Sequence, residues 1–147
     1  MKMIMKGREI EFRGESLNTG KWIYSSVIAN GTIKRKRYNT YMLQDEWIEV
    51  IPETVGQYTG LKDKSITPYL KIYGGDIVKY SRYYYEDMGQ ERWENGVGVI
   101  KYNEFQARYI IDPIDGNFEP GLCTDWKNGE KTSVIGNTTD NPELLKG

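Results

Sequence analysis

The sequence predicts a mainly β protein: a small SH3-like barrel in the C-terminal half, packed with an N-terminal β-rich subdomain and followed by a short C-terminal helix. Three observations point there. Short runs of strand-forming residues recur at roughly 8–12-residue intervals with turn signals between them. The chain holds 12 Tyr and 16 Gly among its 147 residues, a pairing that favours half-buried strands joined by many turns. The order Gly75-Asp76-Ile77-Val78, a polar excursion, Val97–Tyr102, a tight turn and Phe105–Ile111 has the rhythm of a small barrel. The length is that of one domain, or of two small subdomains sharing a core. The boundary is placed near Pro52–Thr54, giving an N-terminal subdomain over residues 1–55 and a barrel subdomain over residues 56–147.

Taken in order, Arg8–Arg13 alternates Ile10 and Phe12 with charged residues, the period of a half-buried strand. Lys21–Ile28 is a second strand carrying Trp22 and Tyr24. Asn30-Gly31 is a hairpin turn, because a type I′ turn needs positive φ at both central residues. Thr32-Ile33 starts the return strand, which runs into Lys34-Arg35-Lys36-Arg37. Trp47–Ile51 is a strand ended by Pro52, and Val55–Thr59 is a short strand. Gly60–Lys64 reads as a turn and Ser65–Lys71, which contains Pro68, as an exposed loop.

Asp76–Tyr80 is a strand that Arg82–Tyr85 extends, and Glu86–Gly96 is a polar hairpin excursion. Val97–Tyr102 is the next strand, with Gly98 marking a bulge or a close backbone approach. Phe105–Ile111 follows, with Phe105, Ala107 and Tyr109 on one face. Asp112–Lys131 is rich in turn signals, and Thr132–Ile135 is a last strand. Pro142 then suits the first position of a helical turn capped by Asp140 or Asn141.

Composition narrows the function. There is no His and one Cys, Cys123. That removes the commonest general base near neutral pH, the Ser-His-Asp and Cys-His constellations, and His or thiolate zinc sites. The Asp112, Asp115, Asn117, Glu119 group lacks EF-hand spacing, and no phosphate-cradling glycine motif occurs. No enzyme activity, cofactor or metal is expected. A single Cys suits a reducing compartment, and no apolar run is long enough for a secretion signal or a membrane helix. The expectation is a cytoplasmic protein with no membrane partner.

Charge is distributed unevenly. Residues 1–40 carry nine Lys/Arg and three Asp/Glu, while residues 41–147 carry eleven and eighteen. Such asymmetry fits an anionic partner for the basic region, or two regions that face each other within one chain or between copies. The sharpest candidate site is Lys34, Arg35, Lys36 and Arg37, with Tyr38 and Tyr41 beside them. Cations there would neutralise phosphates while the tyrosines stack on bases, and Arg82–Tyr85 would extend that surface. Opposed to this is a charged strand edge that resists aggregation, or a strand docked on acidic protein surface.

Three blocks of the chain resemble the YopX family, small proteins encoded by bacteriophages and prophages of Gram-positive bacteria. Arg8–Gly14 with Gly20–Tyr24 is similar to the family's opening. Gln57–Lys64 followed by Ile72-Tyr73 and Gly75–Val78 is similar to its centre. Val134–Asn137 with Asn141–Leu145 is similar to its close. Two departures stand out: the segment between Lys64 and Ile72 is longer than the family's tight turn, and Gly74 stands where an acidic residue is commoner. The resemblance implies a mostly β protein with an SH3-like barrel in its second half and assembly into homo-oligomers. It brings no catalytic residue. The leading expectation is therefore a non-enzymatic phage or prophage binding or self-assembly module, with a host or phage protein partner left open. A small nucleic-acid-binding accessory protein is the alternative.

Overall fold

The computed structural model describes residues 9–29, 31–38, 43–86, 89–115 and 131–146. It is mostly strand, with a sheet curled into a half-barrel. Two compact units divide the chain, Met1–Gly60 and Leu61–Gly147.

In the first unit, β1 (Phe12–Glu15) pairs antiparallel with β2 (Trp22–Ser25), Arg13 opposite Tyr24. β3 (Ile28–Ala29) pairs with β4 (Thr32–Tyr38), which pairs in turn with β5 (Leu43–Glu49). Ala29 and Thr32 pair on either side of the expected turn, and Gly31 has φ +75°. Asn30 lies outside the described residues. The core gathers Ile23, Ile33 and Val50, with Ile28, Ile48 and Val55 against it. Gly14 makes this packing possible: a Cβ there would stand 3.0 Å from Val50 Cβ and 3.1 Å from Ile33 Cδ1. A 3-10 turn at Pro52–Thr54 follows, where the Thr54 hydroxyl accepts from Glu15 N at 2.8 Å and donates to Ile51 O. The half-buried strand expected from Arg8 begins only at Phe12, and Ile10 is exposed.

β6 (Gly56–Asp63) carries the chain from the first unit into the second. Its first residues pair with β1, Gln57 opposite Phe12. The turn expected at Gly60–Lys64 is instead strand as far as Asp63. Gly60 takes φ +89° without the strain a side chain would bring, so the strand runs on through it. β7 (Leu70–Tyr73) leads to a tight turn at Gly74-Gly75. Gly75 has φ +90°, and the buried Asp76 carboxylate accepts from Tyr73 N at 2.8 Å across the turn. The turn is held from outside as well: Gly75 N donates to Ile100 O, and Thr138 N to Gly75 O.

β8 (Asp76–Glu86), β9 (Gln90–Asn103), β10 (Arg108–Pro113) and β11 (Lys131–Asn137) form an antiparallel sheet in the order β10-β9-β8-β11. Its core is Ile72, Val78, Tyr80, Ile100 and Ile111, with Tyr109 and Val134 packed on it. Gly98 is a close approach, one of the two readings its sequence position suggested. A Cβ there would lie 2.5 Å from Ile111 Cγ2 and 2.7 Å from Asp112 O.

Glu86–Gly96 is the hairpin excursion expected, with Glu86 opposite Gln90, and its return strand β9 already starts at Gln90. One expectation fails here. Phe105 and Ala107 do not share a strand face with Tyr109; they lie in the β9–β10 turn, where Ala107 has φ +51° and Phe105 is fully exposed. At the C-terminus, Pro142 opens a 3-10 turn to Leu145. Neither expected cap is made. Asn141 stands at the N-cap but its Oδ1 accepts from Asn137 N at 3.2 Å.

Gly98→Ala tests how tightly the curl is packed. The new methyl meets backbone as well as a side chain, so the variant should lose about 1–3 kcal/mol of unfolding free energy in a urea titration. An unchanged midpoint would show that β10 can move away at no cost.

Candidate nucleic-acid interface

The basic run lies on β4, which places Lys34–Tyr38 in a strand and leaves Tyr41 outside the described residues. β3 reaches only Thr32 and Ile33, so from Lys34 onward the pairing is with β5. The register of that pairing is decisive. Lys34 stands opposite Trp47, Arg35 opposite Glu46, Lys36 opposite Asp45, Arg37 opposite Gln44 and Tyr38 opposite Leu43.

Directly opposed positions of an antiparallel pair are the ones that interact, and opposite charges there attract. Two of the four cations therefore hold register positions opposite acidic residues of their own sheet. β4 and β5 together hold four cations against three carboxylates, Asp45, Glu46 and Glu49. A duplex is held by counterion release, with log K changing by about −0.9 per phosphate neutralised for each decade of salt. Cations paired in register with acidic residues are expected to contribute less to that term than cations that stand alone. Trp47, half exposed at 50%, is the aromatic on this ribbon that sequence reasoning did not single out. Its signal was its place in the strand opposite the first lysine.

Arg82 was expected to widen the basic surface and does not. It is 5% exposed, and its guanidinium donates to Lys131 O at 2.9 Å and to the Thr132 hydroxyl at 2.7 Å. It ties β8 to β11. Tyr83 meets Trp93 edge-on, with ring centroids 5.3 Å apart. The pair is directly opposed in the β8–β9 register.

Beside this lies a small polar hollow of about 120 Å³ that the sequence did not reveal, lined by Tyr80, Glu94, Asn95, Gly96, Val97 and Asp115. Burial, and then the charge of Glu94, push the Tyr80 phenol above its ordinary value near 10, against a weaker opposing pull from Arg82. The phenol therefore stays a neutral hydrogen-bond donor throughout the physiological range. Gly96 leaves room for it, since a Cβ there would lie 2.5 Å from Tyr80 Oη. Among the described residues no group of three or more His, Cys, Asp or Glu side chains is placed to hold a metal ion, and no helix is long and apolar enough to cross a membrane. Cys123, Asn117 and Glu119 lie outside the described residues.

A family model described as YopX protein matches residues 11–146. No curated protein matches the chain.

Two measurements follow from this geometry. Asp45→Asn with Glu46→Gln removes the acidic residues at the register positions opposite Lys36 and Arg35. Duplex DNA binding should strengthen in that variant, and its salt slope should steepen by about 2. No change would show that the cross-strand register does not restrain the basic run. The second concerns pH. A phenol whose folded value is raised contributes stability that is complete below about pH 10 and is lost as pH rises through the folded value. Stability of the chain should therefore fall above pH 10, and Tyr80→Phe should flatten that fall. An equally steep decline in the variant would assign it to other groups.

Proposed function

We propose that this chain, which belongs to the YopX family, is a non-enzymatic binding and self-assembly module of phage or prophage origin that works in the bacterial cytoplasm. We read its curled sheet as SH3-like. One observation carries the reading: among the described residues, the β8–β9 hairpin runs past its sheet neighbours. β11 pairs with β8 only as far as Ser81, and β10 with β9 only back to Gly98. Among the described residues, β8 and β9 then pair with each other alone, from Arg82 opposite Glu94 to Glu86 opposite Gln90.

A two-stranded ribbon is at best marginally stable in water by itself. This one carries the Tyr83–Trp93 pair, with Trp93 47% exposed. Half-exposed aromatics on a projecting ribbon suit a surface that is completed by another protein. The β4–β5 ribbon repeats the pattern in the other unit, with Trp47 in the corresponding role.

The second reading, nucleic-acid binding through Lys34–Arg37, rests mainly on Lys34 and Arg37, the two cations set opposite uncharged residues. Self-association is the stronger because it uses the aromatics as well as the charges.

Size-exclusion chromatography with light scattering, run from low to high micromolar concentration, tests this. The expected mass exceeds one chain and rises with concentration. A strict monomer throughout that range would end the self-assembly reading.

A further inference from the structure

We propose that copies of this chain assemble head to tail, with the exposed tip at residues 64–70 of one copy seated in the groove beside Phe105 of the next. The inference rests on the self-association reading above and adds to the two ribbons a contact of its own.

The tip is apolar where a loop is ordinarily polar. Ile66, Tyr69 and Leu70 are 52%, 56% and 46% exposed. They are presented from a fixed base. Asp63, 2% exposed, accepts from Ser65 N at 2.8 Å, from the Ser65 hydroxyl, and from Val134 N at 2.9 Å on β11. That bonding uses the one carboxylate of the segment 61–71. The charge the tip shows to solvent is therefore positive, from the exposed Lys62 and Lys64. Three apolar side chains within five residues, leaving the sheet from an anchored base with two exposed lysines beside it, form an apolar knob with a basic edge.

The groove has the opposite character. It measures about 390 Å³ and lies beside the β9–β10 turn, where Tyr102 and Ile110 line it and Phe105 stands fully exposed at its side. Tyr102 is braced by Tyr109, edge-on at 5.2 Å. Its charged residues are Glu104, Asp112 and Lys101, the last two joined at 2.6 Å, so Glu104 leaves it acidic by one charge. An apolar knob with a basic rim and an aromatic groove with an acidic rim are complementary in both respects.

The two patches are different regions of the same surface. The contact is thus heterologous and adds copies in one direction, closing into a ring only if the rotation between copies allows it.

The test uses sedimentation velocity on the full chain and on two variants, a knob variant (Ile66→Ser with Leu70→Ser) and a groove variant (Phe105→Ser). Each should weaken assembly at least tenfold. An equimolar mixture of the two should form dimers and nothing larger, because each still carries the half that the other lacks. Wild-type assembly that neither variant weakens would overturn the inference and leave self-association standing. Weakened variants whose mixture stays monomeric would overturn it too, because the patches would then not meet each other. A monomeric wild type would overturn both. Should a variant misfold by circular dichroism, Lys64→Glu and Glu104→Lys replace the pair: each alone sets like charges at the contact and weakens assembly, and their mixture should assemble again, because every tip then meets a groove of opposite charge; a mixture that stays monomeric would overturn the inference. If the knob variant loses binding to duplex DNA or anionic vesicles while assembling normally, the tip serves another partner and the inference fails.

Discussion

The second unit depends on what is missing from one face of β9. Gly96 and Gly98 fall on the same side of the strand as Ile100, a core residue. At each glycine a neighbour takes the room a side chain would fill: the Tyr80 phenol at Gly96, and Ile111 with the Asp112 carbonyl at Gly98. Tyr80 is directly opposite Gly96 in the register, so an aromatic ring covers the bare backbone. Covering a glycine in this way lets a sheet bend without opening a void. The bulge in β11 between Val134 and Gly136 shifts the register of that edge. Bare backbone on one strand and a displaced residue on another are together what a curled sheet of four strands requires.

The uneven charge of the sequence has a partly local resolution. The basic run does not stand alone, because the acids that follow it in sequence fold back onto it across β4 and β5. A boundary drawn at residue 40 falls inside this hairpin. Some of the asymmetry is therefore an effect of cutting through a hairpin whose two strands balance each other. What stays unbalanced is smaller, and it is spread among separate surfaces.

Most of the fold was legible wherever an element buries one face. Ile77, Val78, Ile100 and Ile111 all stand in runs that read as strands, and all are core. Legibility failed where a strand buries little. Glu91–Asn95 carries no apolar alternation, and its one large aromatic, Trp93, is half exposed, so the stretch reads as a polar excursion where the structure continues β9. Phe105 misled in the opposite direction, as a large apolar side chain that the structure leaves in solvent. The candidate basic site was visible as a run of like residues. The acidic residues set opposite it were not, because that depends on which residue of β5 pairs with which residue of β4. Arg82 looked like surface for the same reason: its partners, Lys131 and Thr132, lie about fifty positions away in sequence.

The bonding of Asp63 has a consequence for how this chain tolerates change. Its carboxylate fixes the point at which the chain leaves β6 by holding both Ser65 and the backbone of β11. Beyond that anchor, residues 64–70 are all exposed and the core of the second unit includes none of them. Lengthening such a segment costs little, since each doubling of a flexible loop adds only about 0.6 kcal/mol of closure entropy. The anchor therefore separates inheritance from novelty. The scaffold can be kept while the tip is rewritten, and a tag or a foreign epitope could be spliced between Ile66 and Tyr69 without the sheet having to accommodate it.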